Sequence, residues 1–372
     1  MSSTRKTRVL LLSTFEPLSE ALARRNDFEV FVMNESPRAA AAGPRRAVEA
    51  PVAYIRGVKL SWRSIRSVRQ AICRVRPDVV HSFLSRPLAH AVLAKKSLRG
   101  RSGVEPPKIV SFRAITAPAP FRDPAQWITY RSREVDAHAC VSGAALQALV
   151  ASGVDAAKCG VVYNCLDRPL EPPVRQHALA QWRVPADAFV VATVSTMRAI
   201  KGIDVLLKAA IECADLADLH LVLMGAVQDP RIERLAGDPR IASRVRLLGH
   251  RDDASKLVGA ADVLAMPSRT EGLPRAMLEA MSQGVCPLVS DAGGMKEVVR
   301  DGRDGLVTPR EDVAALAQAI RRLHADRALT ARYAASARQR VAESFTADAM
   351  AARCAELYGR AMNAATRWRQ AA

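Results

Sequence analysis

Short, continuous runs of aliphatic and β-branched residues recur along the chain, separated by longer amphipathic stretches. RVLLLS (8–13), FEVFVM (28–33), PDVVHSF (77–83), KIVSF (108–112), AHACVS (137–142) and CGVVYN (159–164) form a first set. Runs that stay apolar, instead of alternating, mark strands buried on both faces, and helical stretches such as 62–76 and 85–97 between them require parallel strands. The rhythm pauses at RPLEPPVRQH (168–177), whose prolines make it the linker, and then resumes. FVVATVS (189–195), HLVLMG (220–225), VRLLGH (245–250), DVLAMPS (262–268), CPLVS (286–290) and GLVTP (305–309) form the second set. At 372 residues the chain exceeds one ordinary core. The pattern predicts an α/β protein of two tandem doubly wound, Rossmann-like domains facing each other across a cleft, 1–170 and 171–349. In such sheets ligands bind beyond the carboxyl ends of the strands.

Composition narrows the function classes. Aromatic residues make up 5% of the chain, too few for a stacking platform on single strands, and no groove-reading motif accompanies the pI near 10, so no nucleic acid partner is expected. Seven scattered cysteines without a C-x-x-C or a His/Cys cluster read as reduced thiols in a cytoplasmic protein. The basic start followed by RVLLLS reads as a first strand and not as a signal peptide, and no apolar stretch has the length to span a membrane. The net charge of +18 is uneven: residues 1–175 hold 28 Lys+Arg against 14 Asp+Glu (+14), and the remainder 27 against 23 (+4). A basic first half suits an anionic surface or substrate.

Two segments at strand ends carry chemistry. RTEGLPRAMLEAM (269–281) follows the strand 262–268 and places Gly272 before a helix that Pro274 can open from its first turn. Free amides of Gly272 and Leu273 at such a helix start suit a phosphate. A carboxylate such as Glu279 just beyond could accept the two hydroxyls of a ribose, with Glu271 in the loop facing the same ligand. The plainer alternative makes Glu271 a helix cap and Glu279 part of a solvated face. STMRAIKGIDVLLKAA (195–210) sets Arg198 and Lys201 at the first strand-to-helix turn of the second half, with Gly202 allowing close backbone approach. These two cations could neutralise a diphosphate leaving group; the plainer alternative, a charged helix start, is weakened because positive charge opposes the dipole there.

RAIKGIDVLL, LVLMG, VRLLGHRDD, ADVLAMPSRTEGLPRAMLEAM, SDAGGMKEVVRDGRDGLVTP and VVYNCLD together resemble the family 4 glycosyltransferases, retaining nucleotide-sugar enzymes of the GT-B architecture. PDVVHSF and the VS of ACVSG add support from the first half. The resemblance is strong over about 160–310. It implies that Lys201 and Arg198 hold the donor pyrophosphate, that Glu279 takes the ribose, and that Glu271 touches the transferred sugar. Gly272 and Leu273 would lie near sugar and phosphate, and Gly249, His250 and Arg251 would border the base. It further implies a donor domain in the second half and an acceptor domain in the first, completed by a C-terminal helix over 350–372. The donor would be a UDP- or GDP-linked sugar. The acceptor would be a glycan or lipid-linked intermediate of bacterial lipopolysaccharide or polysaccharide synthesis. No cofactor and no metal are expected, the chain having no D-x-D.

Several positions depart from the family pattern. STFEPLSEA lacks the glycine pair after the first strand, Thr196 stands where an arginine often precedes the lysine, and N-G-x-D has become Asn164-Cys165-Leu166-Asp167. Arg113 replaces the histidine often found after the fifth strand; it reads either as an anion ligand or as half of a surface salt bridge. His81, at the end of PDVVHSF, could orient acceptor or donor, or serve structurally. LSWRSIRSVRQAICRVR (60–76) puts Trp62, Ile65, Val68, Ile72 and Val75 at helical spacing among five arginines. Such a helix either packs its stripe on the sheet or lies on the inner face of an anionic cytoplasmic membrane. A nucleotide- or glycan-binding protein without turnover, or a sugar-nucleotide epimerase on the same architecture, is the alternative function.

Overall fold

A computed structural model describes residues 5–13, 15–33, 46–47, 60–99, 104–117 and 127–370. Residues 1–4 of the basic start, Thr14 of the loop after the first strand and 371–372 lie outside the described residues. The chain divides into two compact units, Met1–Tyr163 with Ala347–Ala372, and Asn164–Thr346. The sequence pattern puts these divisions at 170/171 and 349/350.

The first unit is a seven-stranded sheet of β1 (Thr7–Leu12), β2 (Phe28–Met33), β3 (Arg46–Ala47), β4 (Val79–Ser82), β5 (Lys108–Arg113), β6 (Val135–Cys140) and β7 (Cys159–Val161), in the order β3-β2-β1-β4-β5-β6-β7. Every pairing is parallel, as continuous apolar strands demand; Val9 to Leu12 have no solvent exposure. Aspartates stitch the amino ends of the strands: Asp78 accepts the N–H of Arg8 at 2.8 Å, and Asp136 that of Ile109 at 2.8 Å. Backbone donors at the second residues of β1 and β5 are thereby satisfied.

Helix Trp62–Val75 begins with Ser61 accepting the Ser64 N–H and ends at Arg76 in the left-handed region, φ 47°. Ile65, Val68, Ile72 and Val75 are core, so the stripe belongs to the sheet. Trp62, which the spacing puts on that stripe, is instead 85% exposed. It is the first residue of the helix, where the apolar face has not yet reached the sheet. Its companions Arg63, Arg66 and Arg74 are also exposed.

The second unit holds β8 (Phe189–Val194), β9 (Leu219–Met224), β10 (Val245–Gly249), β11 (Val263–Met266), β12 (Cys286–Ser290) and β13 (Leu306–Thr308), in the order β10-β9-β8-β11-β12-β13, again all parallel. Phe189, Val191, Leu206, Leu223, Val263 and Leu323 are among the buried residues of one core between sheet and helices. Strand order reverses between β8 and β11, as between β1 and β4 in the first unit. The loops after β8 and β11 therefore flank the point where a doubly wound sheet takes its ligand.

The stretch 343–369 resolves into the end of helix Arg327–Ser344 and helix Ala347–Gln370, parted at Phe345–Thr346, where Leu166 bridges Thr346. The last helix belongs to the first unit, and its Asp348 pairs with Arg24 at 2.9 Å.

Candidate functional site

The second unit gathers most of the residues singled out above. After β8 the chain makes a tight turn, Ala199–Lys201, and crosses Gly202 at φ 65° into helix Ile203–Glu212. A Cβ on Gly202 would lie 2.0 Å from the Pro267 carbonyl oxygen, so this turn and the loop after β11 touch backbone to backbone. Lys201 pairs with Glu271, both mostly buried, and the Ser268 hydroxyl lies 3.5 Å from the same carboxylate oxygen. Ser290 in turn donates to the Ser268 carbonyl at 2.6 Å. Arg198 is exposed, and its guanidinium makes no hydrogen bond or ion pair among the described residues.

Gly272 and Leu273 are buried, and among the described residues their N–H groups donate to nothing. Buried amides without partners are rare and mark either strain or a ligand position. Pro274 is the N-cap of helix Arg275–Ser282 and not a first-turn residue, so the helix starts one position later than the sequence suggests. Glu279, fifth in that helix, is largely buried and accepts from Arg275 at 3.0 Å. It is therefore not part of a solvated face.

Two contacts that sequence patterns do not reveal hold this loop. Asn164 donates to the Leu273 carbonyl at 2.9 Å; the residue stood out only as part of an altered N-x-x-D. Gly293, at φ 56°, is packed so closely that a Cβ would lie 1.7 Å from the Glu271 carbonyl oxygen, and the Gly294 N–H donates to the Gly272 carbonyl at 2.8 Å. The downstream glycine pair and the Glu271 loop are one structural element. Arg269 and Asp204, which lie in the two quoted segments but carry no role in the sequence pattern, form a forked pair at 2.8 and 3.0 Å. Burial alone would raise the Asp204 pKa, but the Arg269 fork outweighs it and holds the carboxyl below its ordinary value.

Gly249 ends β10 at φ 65°, and its carbonyl accepts the Gly225 N–H at 2.7 Å. His250 is exposed beside Asp252 at 3.2 Å, while Arg251 forks onto Asp253 at 2.8 and 2.9 Å.

The two first-half candidates belong to the other unit and sit inside it. His81 is fully buried, its Nδ1 2.7 Å from the Tyr358 hydroxyl and its ring stacked on Phe83 at 4.5 Å. Burial pushes its pKa down to about 3, so the ring is neutral and anchors the last helix. Arg113 is 3% exposed, donates to the Ala117 carbonyl and lies 4.8 Å from the centre of the Tyr130 ring. It is not part of a surface salt bridge: no carboxylate among the described residues pairs with it.

Two Rossmann-like units, each with a reversal of strand order, and in the second a candidate ligand site at that reversal, define the GT-B class of glycosyltransferase fold. A glycosyltransferase from Rickettsia africae superposes with a TM-score of 0.78 at 17% identity, over 96% of this chain and 99% of that one. Anabaena HepE, solved with UDP, superposes with a TM-score of 0.73 at 21% identity, over 94% and 98%. Residues 15–168 match the model of Glycosyltransferase Family 4, and residues 188–326 that of Glycosyl transferases group 1. The chain belongs to the family 4, group 1 glycosyltransferases. Similar curated proteins include the lipopolysaccharide core biosynthesis glycosyltransferase LpsE of Rhizobium meliloti, 31% identical over 46% of this chain and 50% of that protein. A D-inositol 3-phosphate glycosyltransferase of Salinispora arenicola is 32% identical over 51% of this chain and 46% of its own length. The chain thus aligns with about half the length of these relatives.

Proposed function

We propose that this protein transfers a sugar from a UDP- or GDP-linked donor to a glycan or lipid-linked acceptor with retention of anomeric configuration, in lipopolysaccharide or polysaccharide synthesis. The observation that carries the reading is the convergence, at the β8/β11 reversal, of Lys201, Glu271 and the unpartnered amides of Gly272 and Leu273. Cations and free amides at one sheet edge suit a diphosphate. Arg198, whose side chain has no other partner among the described residues, adds a second cation. Glu279 keeps one carboxylate oxygen beyond its Arg275 contact for the ribose hydroxyls, and Gly249, His250 and Arg251 border the base.

In the reaction the bond from the anomeric carbon to the diphosphate oxygen breaks, and the electron pair stays on the leaving nucleotide. Lys201 and Arg198 stabilise that charge, which is the role a metal would otherwise fill. The acceptor hydroxyl bonds to the same face of the sugar and its proton passes to the departing phosphate oxygen. Glu271 touches the transferred sugar. The relatives support the setting: LpsE is named for lipopolysaccharide core synthesis, and HepE has been crystallised with UDP and with UDP-glucose.

The acceptor side rests on charge. Arg63, Arg66, Arg69, Arg74 and Arg76 of the first unit have no ion pair among the described residues, and Trp62 projects beside them. A surface of unpaired arginines with an exposed indole suits an anionic membrane carrying a lipid-linked acceptor. No described helix is long and apolar enough to cross a membrane.

The test is slow hydrolysis of a panel of UDP-, GDP- and ADP-sugars, followed by proton NMR. Retention requires that an α-linked donor release the α-anomer first. Initial release of the β-anomer, or no turnover with any donor, overturns the proposal.

A further inference from the structure

Arg269 lies two residues before Glu271, and the hydrogen bonds it donates run to the turn that carries Lys201, to the helix that follows it and to Glu311. Its guanidinium donates to both carboxylate oxygens of Asp204, at 2.8 and 3.0 Å, and to the Ala199 carbonyl; its backbone N–H donates to the Ile200 carbonyl at 2.9 Å. Glu311 takes a further bond at 2.7 Å. Asp204 sits in the first turn of helix Ile203–Glu212, its side chain 4% exposed. One residue of the β11 loop therefore grips positions 199, 200 and 204, on both sides of Lys201 and Gly202.

We propose that Arg269 is a positioning residue for the diphosphate site, acting through Lys201. This rests on the donor-binding reading above. Its positive charge is already matched by Asp204 and Glu311, so its effect on a ligand is geometric and not electrostatic. By clamping the Arg198–Lys201 turn to the Ser268–Glu271 loop, it brings the Lys201 ammonium and the Gly272 and Leu273 amides to bear on one phosphate. Misplacement of such a group by about 1 Å is enough to cost orders of magnitude in rate. The planar fork matters: a lysine at 269 keeps the charge but cannot hold two carboxylate oxygens and a carbonyl together.

The test is calorimetric titration with UDP, GDP and ADP of the wild type, Arg269→Ala, Arg269→Lys, Asp204→Asn, Lys201→Ala and the Arg269→Ala/Lys201→Ala pair, with thermal unfolding of each. The expected result is a loss of tenfold or more in nucleotide affinity for Arg269→Ala, Arg269→Lys and Asp204→Asn alike. Arg269→Ala should add less than twofold once Lys201 is already alanine, because residues acting as a unit are not additive. Undiminished affinity in Arg269→Ala, rescue by lysine, or a full additional loss in the Lys201→Ala background each overturns the proposal. Should Arg269→Ala fail to fold, Asp204→Asn and Arg269→Lys decide the question. If the wild type binds none of the three nucleotides, it is the donor-binding reading that fails, and this inference with it.

Discussion

Replacing Gly293 by alanine separates the cost of a backbone conformation from the cost of a collision at the site. Gly293 and Gly284 both occupy the left-handed region, at φ 56° and 79°. A Cβ on Gly284 meets nothing within 4 Å, whereas one on Gly293 lies 1.7 Å from the Glu271 carbonyl oxygen, and contacts under 3.0 Å force something to move. Gly284→Ala thus carries only the conformational penalty, about 1 kcal/mol. Gly293→Ala carries that penalty and must also push the Glu271 backbone away by at least about 1.3 Å, which adds roughly 1–3 kcal/mol of overpacking strain. For a unit of this size, about 2–4 °C per kcal/mol converts these to a fall of roughly 3 °C for Gly284→Ala and 6–12 °C for Gly293→Ala. The same displacement shifts the Gly272 and Leu273 amides, so nucleotide affinity should fall about tenfold in Gly293→Ala and stay unchanged in Gly284→Ala. Scanning calorimetry and nucleotide titration read both effects. Equal falls in Tm, with affinity kept in both variants, would refute the idea that the glycine pair sets the Glu271 loop.

Other perturbations follow from single contacts. Glu271 neutralises Lys201 in the ligand-free protein, so Glu271→Gln should bind UDP or its counterpart several-fold more tightly while losing sugar transfer; weaker binding would show that the carboxylate aids the phosphate site. Asn164→Ala removes the hold on the Leu273 carbonyl, at about 1 kcal/mol, and should weaken nucleotide binding several-fold with a fall in Tm of about 2–4 °C, which titration beside thermal unfolding would check. His81 and His138 are both held neutral, near a pKa of about 3: His81 by burial, His138 by burial and then by Lys158 and Arg113. Below pH 6.5 the unfolded chain binds more protons than the fold, so stability is full above that pH and is lost as pH falls toward 3. At pH 4.5 each ring accounts for about 3 kcal/mol. Urea unfolding of the first unit with unchanged midpoints from pH 7 to 4.5 would contradict this.

Much of the fold was legible because parallel strands buried on both faces leave uninterrupted apolar runs, and those at 8–13, 189–195 and 262–268 coincide with β1, β8 and β11. The loop residues after β8 and β11 were legible for a related reason, since ligands follow strand ends. What escaped depends on partners distant in sequence. Arg269 and Asp204 are 65 positions apart, and Asn164 and Leu273 are 109 apart; no local period reports either pair. Burial at element ends was equally opaque. Trp62 fits the apolar spacing but projects into solvent at the first residue of its helix, and Arg113 reads as an anion ligand or half of a surface salt bridge but is the last, enclosed residue of β5, with no carboxylate partner among the described residues. Whether a terminal side chain is covered depends on the neighbouring loop, which hydropathy does not encode.

In the proposed function, the carboxyl ends of β8 and β11 in the second unit hold a nucleoside diphosphate, with Glu279 on its ribose. Calorimetric titration of UDP, GDP and ADP into the wild type and Glu279→Ala tests it most directly. One nucleotide should bind the wild type, and the alanine variant should lose at least tenfold in affinity with its Tm preserved. Equal affinity in both proteins, or binding of none of the three, would contradict it.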